Sequence, residues 1–207
     1  MPHLITFEGI EGSGKSTHAR MLGEHLRSLG WDPVVTHEPG GTPLGEPIRR
    51  LLLDATSVRL APTAELLLYC ADRAQHVEEV IRPALAQRRP VICDRFSDST
   101  FAYQGHGRGL DLAMVRALDA HACQGVVPSL TFLFDCPASE GLARARRRAA
   151  ADRMEAAPLA FHERVREGFL LLAAERPDRY CVLDSTRAID DTQHEVRVRA
   201  TACLGMP

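Results

Sequence analysis

Five short runs of apolar residues, several of them β-branched or aromatic, are spread along the chain, and each predicts a β-strand. The runs are Leu4–Phe7, Pro33–Thr36, Pro90–Cys93, Leu130–Phe134 and Tyr180–Leu183. Their apolar residues are continuous rather than alternating, which is typical of strands buried on both faces of a parallel sheet.

Stretches with helical periodicity lie between these runs. The first has an apolar face made of Ala19, Leu22, Leu26 and Leu29. Gly30 follows that face and is the residue type that most often ends a helix.

Two more helices are predicted in the middle of the chain. One extends from about Thr63 towards Arg88, and Pro83 predicts a kink or break within it. The other begins after Asp111, which can cap its first turn, and continues through Ala122.

Strands and helices therefore alternate, and no Ser/Pro-rich linker or internal repeat divides the chain. We expect an α/β fold, a three-layer sandwich in which helices flank a five-stranded parallel sheet. The length of 207 residues is compatible with a single domain over residues 1–207.

Composition and charge narrow the class of protein. Hydrophobic residues make up 45% and charged residues 25%, as in soluble globular proteins. A net charge of −2 argues against a basic protein that coats nucleic acid, and no apolar run reaches the roughly 18 residues of a membrane helix. The six cysteines form no Cys-x-x-Cys pair, which favours reduced thiols. We expect a cytoplasmic protein without nucleic-acid or membrane partners.

A phosphate-binding motif follows the first predicted strand. Residues 9–16 match Gly-x-x-x-x-Gly-Lys-Ser/Thr, the P-loop pattern, and a predicted helix follows, which is the expected context. Its glycines let the backbone curl around an anion at the positive end of the helix dipole. Lys15 is expected to reach the β- and γ-phosphates of a nucleotide, and Ser16 to place its hydroxyl on Mg²⁺. The alternative is a chance match, expected in about one chain of this length in a hundred.

The predicted ATP-binding loop consists of Gly9, Ile10, Glu11, Gly12, Ser13, Gly14, Lys15, Ser16 and Thr17. Lys15 is the only lysine among 25 basic residues. A GTPase would need a guanine-reading Asn-Lys-x-Asp motif, and a chain with this single lysine cannot contain one. The P-loop therefore belongs to another class of nucleotide-binding protein.

Four segments resemble bacterial thymidylate kinases, in the order and spacing of that family. They are Phe7 through Thr17, Glu38 through Pro43, Ala71 through His76, and Asp94 through Gly105. The resemblance covers nearly the whole chain. It implies a P-loop nucleoside monophosphate kinase fold and transfer of a phosphoryl group from ATP to dTMP, giving ADP and dTDP. It also implies dependence on Mg²⁺ and a homodimer.

The same resemblance assigns residues to the acceptor nucleotide. Glu11 would bind the sugar 3′-hydroxyl; the alternative is a charge at a helix N-terminus. Tyr69 and Arg73 share a helical face, where they would stack on thymine and bond to its O4. The alternative there is a buried tyrosine beside a surface pair of Asp72 and Arg73.

Further residues are assigned at the carboxyl ends of the strands. Arg95 would hold the acceptor phosphate, with Arg49 as a second phosphate ligand. Asp94 would help organise the metal through water. The remaining assignments are Thr100 and Gln104, for the base edge, and Tyr103, as the wall that disfavours a 2′-hydroxyl.

An arginine run resembles the lid of those thymidylate kinases whose catalytic arginines lie in the lid and not in the P-loop. Arg144, Arg146 and Arg148 belong to this run, within a mobile lid predicted at about residues 141–156. Together with Lys15 and Arg95 they are the predicted catalytic residues, since phosphoryl transfer needs charge stabilisation above all. The alternatives are a solvated helix face or a nucleic-acid patch.

No catalytic base is expected, because an acceptor phosphate with a second pKa of about 6 is already anionic at neutral pH. One departure from the family is His37, which replaces the usual arginine before Glu-Pro-Gly-Gly. Two rival hypotheses stay open at this point. One is another nucleoside monophosphate kinase or a deoxynucleoside kinase, and the other is a regulatory nucleotide-binding or nucleic-acid-binding module.

Overall fold

The computed structural model describes residues 3–54, 59–147 and 151–205. Five strands form one parallel sheet in the order β2-β3-β1-β4-β5. The strands are β1 Leu4–Glu8, β2 Val34–His37, β3 Val91–Asp94, β4 Leu130–Asp135 and β5 Tyr180–Asp184. The predicted α/β sandwich with a five-stranded parallel sheet is confirmed.

Helices cover both faces of this sheet. In chain order they are α1 Lys15–Ser28, α2 Gly45–Leu53, α3 Pro62–His76, α4 Arg82–Ala86, α5 Ser97–Thr100, α6 Leu112–Cys123, α7 Ala138–Arg146, α8 Leu159–Glu175 and α9 Ile189–Cys203. Two π-helical segments, Val77–Ile81 and Phe101–Gly107, join neighbouring helices. None of the helices in the described part of the chain has the length and apolarity needed to cross a bilayer.

Every strand ends one residue beyond its predicted end, on a polar side chain. These residues are Glu8, His37, Asp94, Asp135 and Asp184. The apolar runs stop before them, but the backbone ladder does not depend on side-chain polarity and continues. The carboxyl edge of the sheet thus carries a row of titratable groups, at the edge where α/β folds place their ligands.

Burial differs between the centre and the margins of the sheet. β1 is buried along its whole length, and β3 and β4 are buried except at their ends. In β2, partly buried and exposed residues alternate, and β5 is buried at only two positions. The prediction of strands buried on both faces is right for the three central strands and wrong for the two edge strands, which lie at the margin of the helical layers.

Helices α1 and α9 pack on one face of the sheet, against a core that includes Phe7, Phe132 and Phe134. α8 packs on the opposite face and contributes Val165 and Phe169 to a second core. The sheet is therefore the middle of three layers. The loops at its carboxyl edge connect the strands to the helices of the two outer layers.

The first predicted helix is present as α1. Ala19, Leu22 and Leu26 are buried, but Leu29 is 48% exposed because the helix has already ended at Ser28. Gly30 has φ 85°, the left-handed conformation that ends a helix cheaply only at glycine.

The long helix predicted up to Arg88 is divided into three parts. α3 and α4 are separated by the π-helical segment Val77–Ile81, and Pro83 lies in the first turn of α4. A proline removes a backbone donor and clashes with the preceding turn of a helix. The wide π-turn lies just before Pro83, where the kink was predicted. The Asp111 cap is confirmed, since its side chain accepts a hydrogen bond from the Met114 N–H at 2.8 Å.

The P-loop packs directly on α7, backbone against backbone. A Cβ placed on Gly12 would lie 1.9 Å from the carbonyl oxygen of Gly141. A Cβ placed on Gly141 would lie 2.5 Å from the carbonyl oxygen of Glu11. Neither position has room for a side chain, because backbone atoms cannot move aside as a flexible side chain can.

We expect Gly141→Ala to lower the thermal midpoint. Alanine favours a helix by about 1 kcal/mol over glycine, but overpacking against the P-loop costs roughly 1–3 kcal/mol. Thermal unfolding of the variant and of Ala143→Ser, an exposed position on the same helix, measures the difference. A Gly141→Ala protein as stable as wild type would contradict the close contact.

Candidate active site

Three glycines give the P-loop its shape. Gly9, Gly12 and Gly14 have φ values of 138°, 70° and 96°. These conformations lie in the region where only glycine is unstrained. Gly14 leads directly into α1, whose first residue is Lys15. The predicted arrangement of strand, glycine-rich loop and helix N-terminus is therefore present.

The Lys15 ammonium group lies inside the loop. Nζ donates to the carbonyl oxygen of Ile10 at 2.5 Å and to the Ser13 hydroxyl at 3.2 Å. Burial, together with the charge of Arg95, lowers the pKa of Lys15 to about 8. A phosphate beside this amine would favour its charged form.

Ser16, in the first turn of α1, meets Asp94 at the end of β3. The Ser16 hydroxyl donates to Oδ2 of Asp94, while Oδ1 of Asp94 is buried and has no hydrogen-bond partner among the described residues. An unpaired buried carboxylate oxygen beside a hydroxyl is a hard-oxygen pair of the kind that Mg²⁺ or its waters prefer.

A cavity of about 470 Å³ opens in front of the P-loop and brings together most of the predicted site. From the ATP-binding set, the cavity is lined by Glu11, Gly12, Gly14, Lys15, Ser16 and Thr17. From the acceptor set, it is lined by Arg49, Tyr69, Arg73, Thr100, Tyr103 and Gln104. Asp94 and Arg95 also line it.

Three predicted residues of the loop support the cavity from outside. Gly9 lies against the backbone of Phe134, and its carbonyl accepts a hydrogen bond from Arg95 at 2.9 Å. Ile10 and Ser13 are buried acceptors for Lys15. Their contact with ATP remains a prediction.

Arg95 joins the two sides of the cavity. Its φ of 69° is left-handed, which is uncommon for a residue other than glycine and costs about 1–3 kcal/mol. Its guanidinium donates to Ser99 at 3.1 Å and Tyr103 at 3.2 Å, and forms an ion pair with Glu11 at 3.3 Å. The side chain is therefore held in place before any ligand binds.

Glu11 is ionised inside this cluster. Burial alone would raise its pKa, but the hydrogen bond from His162 and the charges of Arg95 and Lys15 outweigh burial and hold the pKa at about 2. The Tyr103 hydroxyl also donates to Glu11 at 2.5 Å. A carboxylate that is charged at neutral pH thus lies at the edge of the phosphate loop.

Arg73 is buried between two carboxylates. Nε donates to Glu38 at 2.9 Å, and Nη1 donates to Asp119 at 2.8 Å and to Thr100 at 2.7 Å. Arg73 is 2% exposed and Asp72 is 1% exposed, so the alternative of a surface Asp72–Arg73 pair is wrong. The reason is that both side chains face the packed interior: Asp72 accepts a hydrogen bond from the Gly40 N–H at 3.0 Å.

Gln104 belongs to a second buried cluster, centred on Glu65. The carboxylate of Glu65 accepts from Gln104 at 2.9 Å and pairs with Arg108 at 3.0 Å and Arg153 at 2.6 Å. Arg153 also donates to the Leu52 carbonyl at 2.6 Å. The segment that follows the predicted lid arginines is therefore docked on α2 and α3.

His37 and Arg49 both line the cavity. His37 is exposed at the end of β2, and Arg49 of α2 donates to the Pro39 carbonyl at 2.7 Å. The structure thus places both beside the loop that follows β2.

Arg144 and Arg146 are not among the described residues that line the cavity. Arg144 donates to the Ser185 carbonyl at 2.8 Å and to Glu140 at 2.5 Å, and Arg146 is exposed at the end of α7. Arg148 lies outside the described residues. The catalytic assignment of these three residues remains a prediction.

Sequence reasoning missed several residues of the site. Asp152, Met154 and Glu155 line the cavity, and their only signal in the sequence is that they lie within the predicted lid. Asp119 and His162 are isolated polar residues on helices, and nothing in their spacing points to the site.

Glu8, also missed, holds the loop that carries Arg95. Its carboxyl group accepts from the Phe96 N–H at 2.7 Å and from the Ser99 hydroxyl at 2.6 Å. Burial and the nearby charge of Asp98 raise the pKa of Glu8 to about 8. It is therefore mostly protonated at neutral pH, in contrast to Glu11.

Comparisons with known proteins point to one family. A family model described as "Thymidylate kinase" matches residues 7–196. A thymidylate kinase of Trichlorobacter lovleyi is 51% identical over 188 residues, covering 88% of this chain and 89% of that protein. One from Geotalea uraniireducens is 45% identical over 206 residues, 97% of both chains. The crystal structure of thymidylate kinase from Ehrlichia chaffeensis superposes with a TM-score of 0.77 at 37% identity, covering 99% of this chain and 98% of that one.

We expect Glu8→Gln to flatten the pH dependence of stability. The folded-state pKa of about 8 lies above the ordinary value of 4.5, so the folded state holds a proton that the unfolded state has lost between these values. Stability therefore falls as pH rises through this window, by up to about 1.4 kcal/mol per pH unit. Glutamine keeps the shape without the titration. The measurement is the thermal midpoint at pH 5.5 and at pH 8.

Glu11→Gln is the matched control, because a folded-state pKa of about 2 lies below that window. It should leave the slope between the two pH values as in wild type. An unchanged slope in Glu8→Gln would show that Glu8 is ionised in the folded protein.

Proposed function

Because this chain belongs to the thymidylate kinase family and is an ATP-dependent kinase that converts dTMP to dTDP, we propose that the cavity in front of the P-loop binds both nucleotides with their phosphates facing each other. The observation that carries the assignment of residues is that one cavity joins Lys15, Arg95 and the Tyr69–Arg73 face.

The donor ATP would lie on the P-loop side. Lys15 would exchange its carbonyl and hydroxyl partners within the loop for the β- and γ-phosphate oxygens. The glycine-rich backbone and the N-terminus of α1 favour the same anion. Arg95, already charged and fixed, would stabilise the acceptor phosphate opposite it.

Mg²⁺ fits the pair formed by Ser16 and Asp94. The buried, unpaired Oδ1 of Asp94 and the adjacent Ser16 hydroxyl are the oxygen ligands such a cation or its waters would use. When bound with ATP, the ion would neutralise charge on the β- and γ-phosphate oxygens.

The acceptor base would lie between α3 and the second π-helical segment. Tyr69 would stack on thymine, and Arg73, held by two carboxylates, would direct its remaining Nη2 group to O4. Thr100 and Gln104 would meet the base edge. Each is already fixed by a hydrogen bond, to Arg73 and Glu65 respectively.

The acceptor sugar and phosphate would lie nearer the P-loop. Glu11 would accept a hydrogen bond from the 3′-hydroxyl, and Tyr103 would disfavour a 2′-hydroxyl by occupying the space beside it. Arg95 and Arg49 would hold the phosphate. Because that phosphate is anionic at neutral pH, it attacks without a base.

The lid arginines would complete the site by movement. Arg144 would release the Ser185 carbonyl, and Arg146 and Arg148 would approach with it, so that positive charge meets the transferring phosphoryl group. A lid over residues 141–156 would exclude water at the same time. The rest of the proposed single domain, residues 1–207, would keep its conformation.

The assembly and location of the enzyme are part of the proposal. We propose a cytoplasmic homodimer formed through helices from the middle of the chain. Leu67 of α3 and Leu112 of α6 are 48% and 41% exposed, which supports an apolar contact there. Sizing in solution tests the dimer.

We expect Arg148→Ala to lower kcat for ATP-dependent dTMP phosphorylation by about a hundredfold or more, because a lid arginine acts on the transition state. Binding of ATP should change far less. Arg147→Ala in the same run is the matched control and should retain near-normal turnover. Normal turnover in Arg148→Ala would remove Arg148 from the lid assignment and leave the fold untouched.

We expect Asp119→Asn to raise KM for dTMP by about tenfold and to leave KM for ATP nearly unchanged. The substitution removes one of the two charges that orient Arg73, and Arg73 would touch only the acceptor. Steady-state kinetics with each nucleotide varied makes the comparison.

Asp111→Asn, at the cap of the same helix, is the control and should alter neither constant. Equal effects of Asp119→Asn on both KM values would indicate general loosening of the protein instead.

A further inference from the structure

The two oxygens of the Glu11 carboxylate have different partners. Oε1 receives the Tyr103 hydroxyl at 2.5 Å and Arg95 Nη2 at 3.3 Å. Oε2 lies 3.1 Å from Nδ1 of His162. Because Glu11 is ionised, it is an acceptor, and Nδ1 of His162 carries the donated hydrogen. Among the described residues with a hydrogen bond to the carboxylate, His162 alone engages Oε2.

His162 reaches Glu11 from outside the cavity. Its side chain is 0% exposed, and it is not among the residues that line the cavity. It therefore cannot contact a nucleotide in the cavity directly and can influence one only through Glu11. Its other nitrogen, Nε2, is buried and has no hydrogen-bond partner within the described ranges, so the contact with Glu11 is the polar anchor of this ring.

The helix that carries His162 is fixed by very close packing. A Cβ on Gly107 would lie 2.7 Å from Phe161 and 2.8 Å from Val165, on either side of His162 in α8. A Cβ on Gly168 would lie 2.8 Å from the His106 ring. α8 and the π-helical segment 101–107 are therefore held together tightly, and the imidazole is presented to Glu11 from a rigid support.

Fixing both oxygens matters because a carboxylate rotates easily about its last bond. That torsion joins an sp³ and an sp² carbon and has a broad energy profile. Rotation about that bond moves both oxygens, so donors on Oε1 restrain the carboxylate from one side. A donor on Oε2 restrains it from the other side as well, and this fixes the plane and the direction of the lone pair that remains on Oε2 for a ligand hydroxyl.

We propose that His162 is a positioning residue that fixes the carboxylate plane of Glu11 for recognition of the 3′-hydroxyl of dTMP. The inference rests on the sugar-binding role of Glu11 proposed above. His162 thereby determines how strongly the enzyme prefers dTMP to its 3′-deoxy analogue, although it touches neither.

The test compares two substitutions of the same residue. His162→Asn keeps an N–H near the position of Nδ1, whereas His162→Leu keeps much of the volume and removes the donor. For wild type and both variants, kcat/KM is measured with dTMP and with 3′-deoxy-dTMP. Val165→Ala, in the same helix without a polar group, reports on packing alone.

We expect His162→Leu to reduce the ratio of the two kcat/KM values by about five- to tenfold, through the loss of a charge-assisted hydrogen bond that acts only on dTMP. His162→Asn should recover most of that ratio. Val165→Ala should lower stability and leave the ratio as in wild type. A His162→Leu protein that loses activity equally on both substrates, or loses none, overturns the proposal.

Glu11→Gln separates this inference from the role on which it rests. If Glu11→Gln lowers the ratio and His162→Leu does not, Glu11 binds the sugar without help from His162, and only the inference fails. If Glu11→Gln leaves the ratio unchanged, the sugar-binding role of Glu11 fails and the inference fails with it. Thermal unfolding of every variant establishes that the measured protein is folded.

Discussion

A negative charge held inside a phosphate-binding loop is the constraint on which this site depends. The Glu11 carboxylate would repel a nucleotide tail if it stood alone, and burial would tend to protonate it. It stays ionised because donors converge on it from the loop after β3, from the π-helical segment and from α8. The same donors join these elements to the P-loop. The contacts that keep Glu11 ionised therefore also hold the walls of the cavity together.

The proposed acceptor side follows the same principle with the signs reversed. Arg73 is a buried cation, and Glu38 and Asp119 neutralise it from opposite elements. Glu65 is a buried anion shared by arginines from two segments. Such clusters add little net stability, because desolvation offsets attraction, but they fix orientation. A site that must read one base benefits more from fixed orientation than from the stability itself.

The sheet could be predicted from the sequence because each strand is a local apolar run, and every boundary was right to within one residue. The P-loop was predictable for the same reason, since its glycines and Lys15 lie close together in one short segment of the sequence. Asp119 and His162 could not be found this way. Glu11 and His162 are 151 residues apart, and their contact exists only once α8 has packed on the sheet. The π-helical turn at Tyr103 has no sequence period of its own, and Arg144 of α7 binds Ser185 and Glu140 in this structure.

The scarcity of lysine gives Lys15 an unusual chemical position. It is the one side-chain amine in the chain, and burial brings its pKa to about 8, so a substantial fraction is a free nucleophile in mildly alkaline solution. An electrophile small enough to enter the cavity would find a single acylation target among the side-chain amines. Lysine acylation, which scatters over the surface of most proteins, would here be confined to the phosphate loop.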